Sequence, residues 1–263
     1  MKKLLLAVAG LAFLSAGALA ADLPAPAPMA YKAPVVVPPA ASWTGFYLNA
    51  GGGYGMWSAD TYIANPAGGA PIIGGDQIQG GRGYLGVLGG GYDLQLGGLG
   101  IGNWNPPVLI GIQADYDPSS IKGTIQDQGP FVAGNIKENY SWSVGARAGL
   151  IIFPQMLTYV NGGYTSGHFD GTTLTNTISG LPSGLVTPGF RTNGWFAGGG
   201  TETTLSPLLP SGWFLRSEYR YNYFQSETIP ENPVAGGAAT RAIAFHPTEQ
   251  TLTTSLIYKF NWH

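Results

Sequence analysis

The 263-residue chain combines 12 basic and 14 acidic residues, only 10% charged in all, with 12% aromatics, 42 glycines and no cysteine. Without cysteine it forms neither disulfides nor thiolate metal sites, and its slight acidity excludes nucleic acid and anionic bilayer surfaces, both of which require a basic face. A soluble domain carries about 25% charged residues to stay solvated, while the many rings argue against disorder.

Residues Met1 to Ala21 read MKKLLLAVAGLAFLSAGALAA. Lys2 and Lys3 form a positive start, Leu4 to Leu14 an apolar run, and Ala18-Leu19-Ala20 sets small residues where a signal peptidase reads them. The run approaches the length of a spanning helix, about 20 residues, but the small-residue site and the Pro-rich stretch behind it favour cleavage after Ala20. Residues 1–20 are thus expected to be a signal peptide, and the chain to be exported. Losing Lys2 and Lys3 turns 12 basic residues into 10 against 14 acidic ones, so the mature chain is more acidic still. Residues 21–42, ADLPAPAPMAYKAPVVVPPAAS, are too rich in Pro and Ala to pack and read as an extended periplasmic linker. No later stretch offers about 18 uninterrupted apolar residues, so spanning helices are excluded.

From Trp43 to Trp262 the pattern becomes period-two alternation broken by Gly, Pro, Asn and Asp clusters. Eight segments read as strands: Trp43–Trp57, Arg82–Gln95, Val108–Asp117, Tyr140–Ile152, Met156–Gly167, Gly194–Leu205, Trp213–Phe224 and Thr251–Trp262. In Val108–Asp117, Val108, Ile110, Ile112, Ala114 and Tyr116 alternate with Leu109, Gly111, Gln113, Asp115 and Asp117. One face is apolar and aromatic throughout, the other polar with scattered charge. The phase of the fifth segment stays open, because Tyr159 and Tyr164 have opposite parity.

A soluble antiparallel sheet gives the same alternation with the senses reversed. Three features favour a membrane barrel. Aromatics gather towards strand ends, as in interface girdles. Connections are long after segments one, three, five and seven but short after four and six, although Gly97–Pro107 is longer than that rule predicts. The last segment is aromatic-rich and available to pair with the first, removing both edges. The expected fold is an all-β, eight-stranded antiparallel transmembrane up-and-down barrel over residues 43–262, with the outer-membrane bilayer as its partner.

The polar face then points inward and collects Asp93, Asp115, Arg147, Glu202, Arg216, Glu218, Arg220 and Lys259. A catalytic or conducting centre is one reading. The other is a paired network filling a lumen just wide enough for side chains, and four acids against four bases favour pairing, because unpaired buried charges cost several kcal/mol each. Gly81–Gly86, GRGYLG, matches a dinucleotide fingerprint by letter, but VLGGGYDLQLGG follows where a helix is required. His168, His246 and His263 are the three histidines; His168 with Asp170 falls in the third long connection, where a merely solvated side chain is favoured over a catalytic pair or a haem or metal ligand. Neither enzyme activity nor a cofactor is expected.

Several pieces together resemble the small alphaproteobacterial outer-membrane barrels of the porin-opacity type. ADLP with its Pro/Ala run and WTGFYLNAGGGYG are similar to that family's opening. GGGYDLQ, IGIQADYD, YSWSVGARAGL, GWFAGGGTET and FLRSEYRYNYF are similar to its strand cores in the same order, and LIYKFNW to its closing strand. The resemblance implies an abundant Gram-negative outer-membrane barrel with surface-exposed loops. It further implies a structural or surface-antigen role, with haem or a host molecule as a loop ligand in some members. It also implies that the barrel assembly machinery reads the closing aromatics among Tyr258, Phe260 and Trp262; Asn261, Trp262 and His263 extend beyond the point where many members stop. A structural barrel supporting envelope integrity is the leading expectation, with loop-mediated ligand binding and a narrow channel as alternatives.

Overall fold

The computed structural model describes residues 43–67, 71–100, 104–127 and 131–260. The expected signal peptide and linker, and Trp262, lie outside the described residues. Among the described residues thirteen strands form one antiparallel sheet. Eight close into a ring: β1 (Gly45–Ala64), β2 (Pro71–Gly98), β3 (Pro107–Pro118), β5 (Val132–Phe153), β6 (Met156–Phe169), β9 (Phe190–Thr204), β10 (Trp213–Phe224) and β13 (Ala242–Phe260). Each pairs with the next, and β13 returns to β1 in unbroken register from Phe46↔Phe260 to Ala64↔Ala242. Closure leaves no ring strand with an unpaired edge, which is what lipid demands of a sheet.

The alternation read from sequence sorts the side chains. Phe46, Leu48, Tyr84, Ile112, Val160 and Leu252 point outward, while Tyr47, Asn49, Gln113, Arg147, Asn161 and Ser255 are buried inside. In β6, Tyr159 is inward and Tyr164 outward, which fixes the phase left open above. Both are Tyr because one meets the charged interior and the other stacks at the wall, against Trp142.

The strands outrun the expected segments. A tilted strand crosses the bilayer in about 9–11 residues, yet β1 has 20, β2 28, β5 22 and β13 19. The excess lies at the end carrying the long connections. There the connections are not irregular loops: β4 (Lys122–Asp127), β7 (Thr172–Asn176), β8 (Pro182–Thr187), β11 (Glu227–Pro230) and β12 (Asn232–Pro233) extend the wall. β4 joins β2 to β5, β7 and β8 follow β5, β12 pairs with β8, and β11 pairs with β13. The physical reason is a second core. Trp57, Ile121, Ile125, Ile136, Phe169, Ile243 and Phe245 are buried together, with Trp57 and Phe245 edge-on at 5.4 Å. Beyond the bilayer such burial stabilises by about 1.5–3 kcal/mol per large side chain, which orders segments whose Gly, Pro and Thr content reads as loop.

Candidate functional site

Charged side chains from six of the eight ring strands converge inside the ring. Arg147 on β5 donates from Nε to Asp93 Oδ1 at 2.8 Å and also pairs with Glu202. Arg216 Nε stands 2.9 Å from Glu202 Oε1. Lys259 Nζ bridges the two acids, 2.7 Å from Asp93 Oδ2 and 3.3 Å from Glu202 Oε2. The rings of Tyr47 and Tyr159 face these guanidiniums, Tyr47 at 4.7 Å from Arg147 and 5.0 Å from Arg216. Further along, Arg220 pairs with Glu218 at 2.6 Å and Asp115 at 3.0 Å, and donates to Ser143 Oγ at 2.8 Å. Tyr159 Oη and Asn161 Nδ2 donate to Glu218 Oε2 at 2.6 and 2.9 Å. Satisfied in this way, buried ions avoid the several kcal/mol that each costs when left alone.

Glycine makes the network possible at defined points. Gly111 faces inward on β3 between Asp93 on β2 and Arg147 on β5, and a Cβ there would fall on Asp93 Oδ1. Gly89 does the same for Asp115.

Apolar layers close both ends of the charged zone. At the end carrying the chain's Trp43, that residue packs with Tyr47, Leu109, Ile151, Leu157, Phe214 and Ile257; at the other lies the second core. Between them, the void lined by Asp115, Asp117, Glu218 and Arg220 measures about 10 Å³, barely the space of one water. The polar interior expected from alternation is therefore corrected at its ends. Leu109, Leu157 and Ile257 obey the inward phase, but as apolar stoppers.

A family model, the outer membrane protein beta-barrel domain, matches residues 6–260. The chain belongs to that family. It is similar to the 31 kDa outer-membrane immunogenic protein of Brucella melitensis biotype 1, with 27% identity over 267 residues covering 99% of this chain and 100% of the relative. The protein of the same name from Brucella suis biovar 1 matches equally. Among solved structures, the outer membrane protein OprG from Pseudomonas aeruginosa superposes with a TM-score of 0.54 at 12% identity, covering 82% of this chain and 98% of that one, and so shares the fold.

In an outer-membrane barrel short turns face the periplasm and long connections face outward. The turn of Pro154 and Gln155 between β5 and β6 is thus periplasmic, and the second apolar core extracellular. All eight charged residues singled out from sequence lie inside, each at most 7% exposed. Among the described residues three further acids join them: Asp117, Glu138 and Glu249. Asp117 and Glu249 continue the inward parity of Asp115 and Thr251 and were legible. Glu138 was not, because a register shift between Glu138 and Tyr140 breaks the parity of β5. Tyr258 and Phe260 stand on the outer face of the closing strand, with their rings 5.0 Å apart.

His168, His246 and the glycine motif fall on strands. His168 is not in a loop but on β6, its ring 5.1 Å from that of Tyr140 and its Nε2 3.8 Å from Asp170. His246 is on β13, edge-on to Tyr223 at 5.0 Å. Gly81–Gly86 lies within β2, with no helix after it.

Among the extracellular segments, a small polar group stood out only in three dimensions. Arg241 holds Asp127 at the end of β4 through Nε and Nη2, at 2.9 and 3.1 Å. The buried Glu231 carboxyl lies beside Asp127, and burial together with that negative neighbour pushes its pKa up to about 7.

Proposed function

We propose that this outer-membrane barrel is a structural protein. Its membrane-crossing part acts as a stiff, non-conducting post, and its built-up extracellular end is the surface presented to the environment. The observation that carries this reading is the interior. A network of paired ions is stoppered at both ends by apolar side chains, and the void beside Asp115, Asp117, Glu218 and Arg220 is too small for a file of water. Such packing supports rigidity, and through it envelope integrity, over transport. The eight interior charges act as structural fill, not as catalysts. Tyr258 and Phe260 are proposed to be read by the barrel assembly machinery during insertion.

The test pairs two measurements. Purified, folded protein in planar bilayers is expected to give no stepwise conductance, and cells lacking the gene are expected to become more sensitive to detergents, with rescue by the full chain. Reproducible conductance steps would replace this reading with a narrow channel.

A second reading, capture of a host molecule by the loops, draws on one specific feature. Phe131, Ile178, Leu181 and Val234, at or near the tips of the extracellular strands, are each more than half exposed. Ligand-dependent protection of those residues from hydroxyl-radical labelling is its test.

A further inference from the structure

The interior charges do not cancel. With Asp117, Glu138 and Glu249 added, and the Asp127, Glu231 and Arg241 group of the extracellular segments set apart, seven buried carboxyl groups inside the ring face four buried cations among the described residues. The imbalance is concentrated at the outer end. Asp93 and Glu202 share Arg147, Arg216 and Lys259 near the periplasmic side, whereas Arg220 is already held by Glu218 and Asp115. Asp117 stands 3.9 Å from the same guanidinium. No cation is left for the last two acids.

Those two meet each other. The carboxyl groups of Glu138 and Glu249 face each other within hydrogen-bonding reach. They stand on β5 and β13, which the ring places opposite one another, with three strands between them in either direction. The contact therefore runs across the barrel from wall to wall. Glu249 Oε2 also accepts from Asn222 Nδ2 at 2.8 Å, and Glu138 Oε2 from Ser119 Oγ at 3.3 Å. Glu138 Oε1 is buried without an N–H or hydroxyl donor. Ionised carboxylates only accept, so two of them bond only with a proton between them. The facing groups are Asp117 from β3 and Arg220 from β10, while β1 and β6 contribute the uncharged Trp57 and Phe169. Both acids lie where the outward positions have turned polar, at Ser58, Thr248 and Gln250.

We propose that Glu138 and Glu249 hold one proton between them as a strut across the outer end of the lumen, so that the extracellular core is locked in neutral and acid conditions and loosened in alkali. The proton is bound only in the folded state, because separated glutamates ionise above about pH 4.3. Folding then takes up a proton, and stability declines as the pH rises.

The test uses the full mature protein refolded in detergent, in an E231Q background so that the loop carboxyl does not contribute. The folded fraction is read from the mobility of unboiled samples at a fixed temperature between pH 6 and 9. The parent is expected to lose about tenfold in its folding equilibrium constant per unit of pH over the range in which the strut alone retains its proton. E138Q keeps the bridge with an amide N–H donated to Glu249 and should change less than about twofold per unit over that same range. Infrared spectra at pH 7 should contain a protonated carboxylic acid C=O band in the parent that E138Q/E249Q lacks; this readout stands even if E138Q folds poorly. A pH dependence unchanged by E138Q overturns the proposal. So does absence of the band together with stability at pH 9 restored by sodium or calcium ions, since a cation would then be the neutralising partner.

Discussion

Arg147 on β5 bonds to Asp93 on β2 at 2.8 Å, although β3 lies between their strands. The contact passes over Gly111, the inward residue of β3 at that level, whose missing side chain leaves room for both charged groups. A strand pair two places apart in the wall is thereby tied from inside.

Arg147→Ala should destabilise the barrel by about 3 kcal/mol, the lower part of the range for breaking a buried pair. The low figure follows from the partners that remain: Lys259 still reaches Asp93, and Arg216 still reaches Glu202. Arg191 is the control. It lies on β9, exposed, and donates to Tyr140 Oη at 3.0 Å. Arg191→Ala should cost no more than about 0.5–1 kcal/mol. Denaturant titrations in detergent that coincide for the two variants would mean that Arg147 carries no special burden.

Gly111→Val should prevent folding of a native barrel, because its Cβ meets Asp93 Oδ1 and the Tyr92 carbonyl and the Arg147 stem lies close behind. Overpacking costs about 1–3 kcal/mol on its own, and displacing Asp93 breaks its ion pairs in addition. Gly97→Ala has nothing within 4 Å of the new methyl and should match the parent. Mobility of unboiled protein on a denaturing gel reports both outcomes.

Glu231 should make the extracellular segments sensitive to pH on their own. Its folded pKa of about 7 lies above the ordinary value of 4.5. The folded state thus holds a proton that the unfolded state releases, and the contribution is complete below about pH 4.5 and lost as the pH rises through 7. Hydrogen exchange of β4, β11 and β12, corrected for intrinsic rates, should show protection falling across that window. E231Q should hold its protection level from pH 5 to 8. A parent whose protection rises with pH would contradict the assignment.

Closure should be all or none. β13 pairs with β1 along its length and with β10 from Thr248 to Tyr258, and its loss leaves two strands with unpaired N–H and C=O groups facing lipid, at several kcal/mol each. Deleting Leu256 to His263 should abolish membrane insertion, whereas deleting Asp22 to Ala40, a stretch whose Pro and Ala content marks it as a linker, should leave it intact. Fractionation of cells expressing each truncation decides, and a C-terminally truncated protein found folded in the outer membrane would refute the requirement.

Alternation by itself determined which side of the wall each residue of the crossing segments takes. Side chains of a strand alternate with period two, and lipid outside with ions inside makes every step legible, from Ile110 and Ile112 to Asp115 and Arg147. It also marked Thr251–Trp262 as the closing strand. Only the tertiary structure decided what depends on neighbours distant in sequence. Glu138 turns inward because a register shift breaks its parity. Asp127, Glu231 and Arg241 meet only because β4, β12 and the approach to β13 are folded over one core. The extracellular strands β4, β7, β8, β11 and β12 were hidden for the same reason. Their sequences are short and, in β4, β8, β11 and β12, interrupted by Gly or Pro, and the pairing that orders them comes from burying Trp57, Phe169 and Phe245, which lie on other segments of the chain.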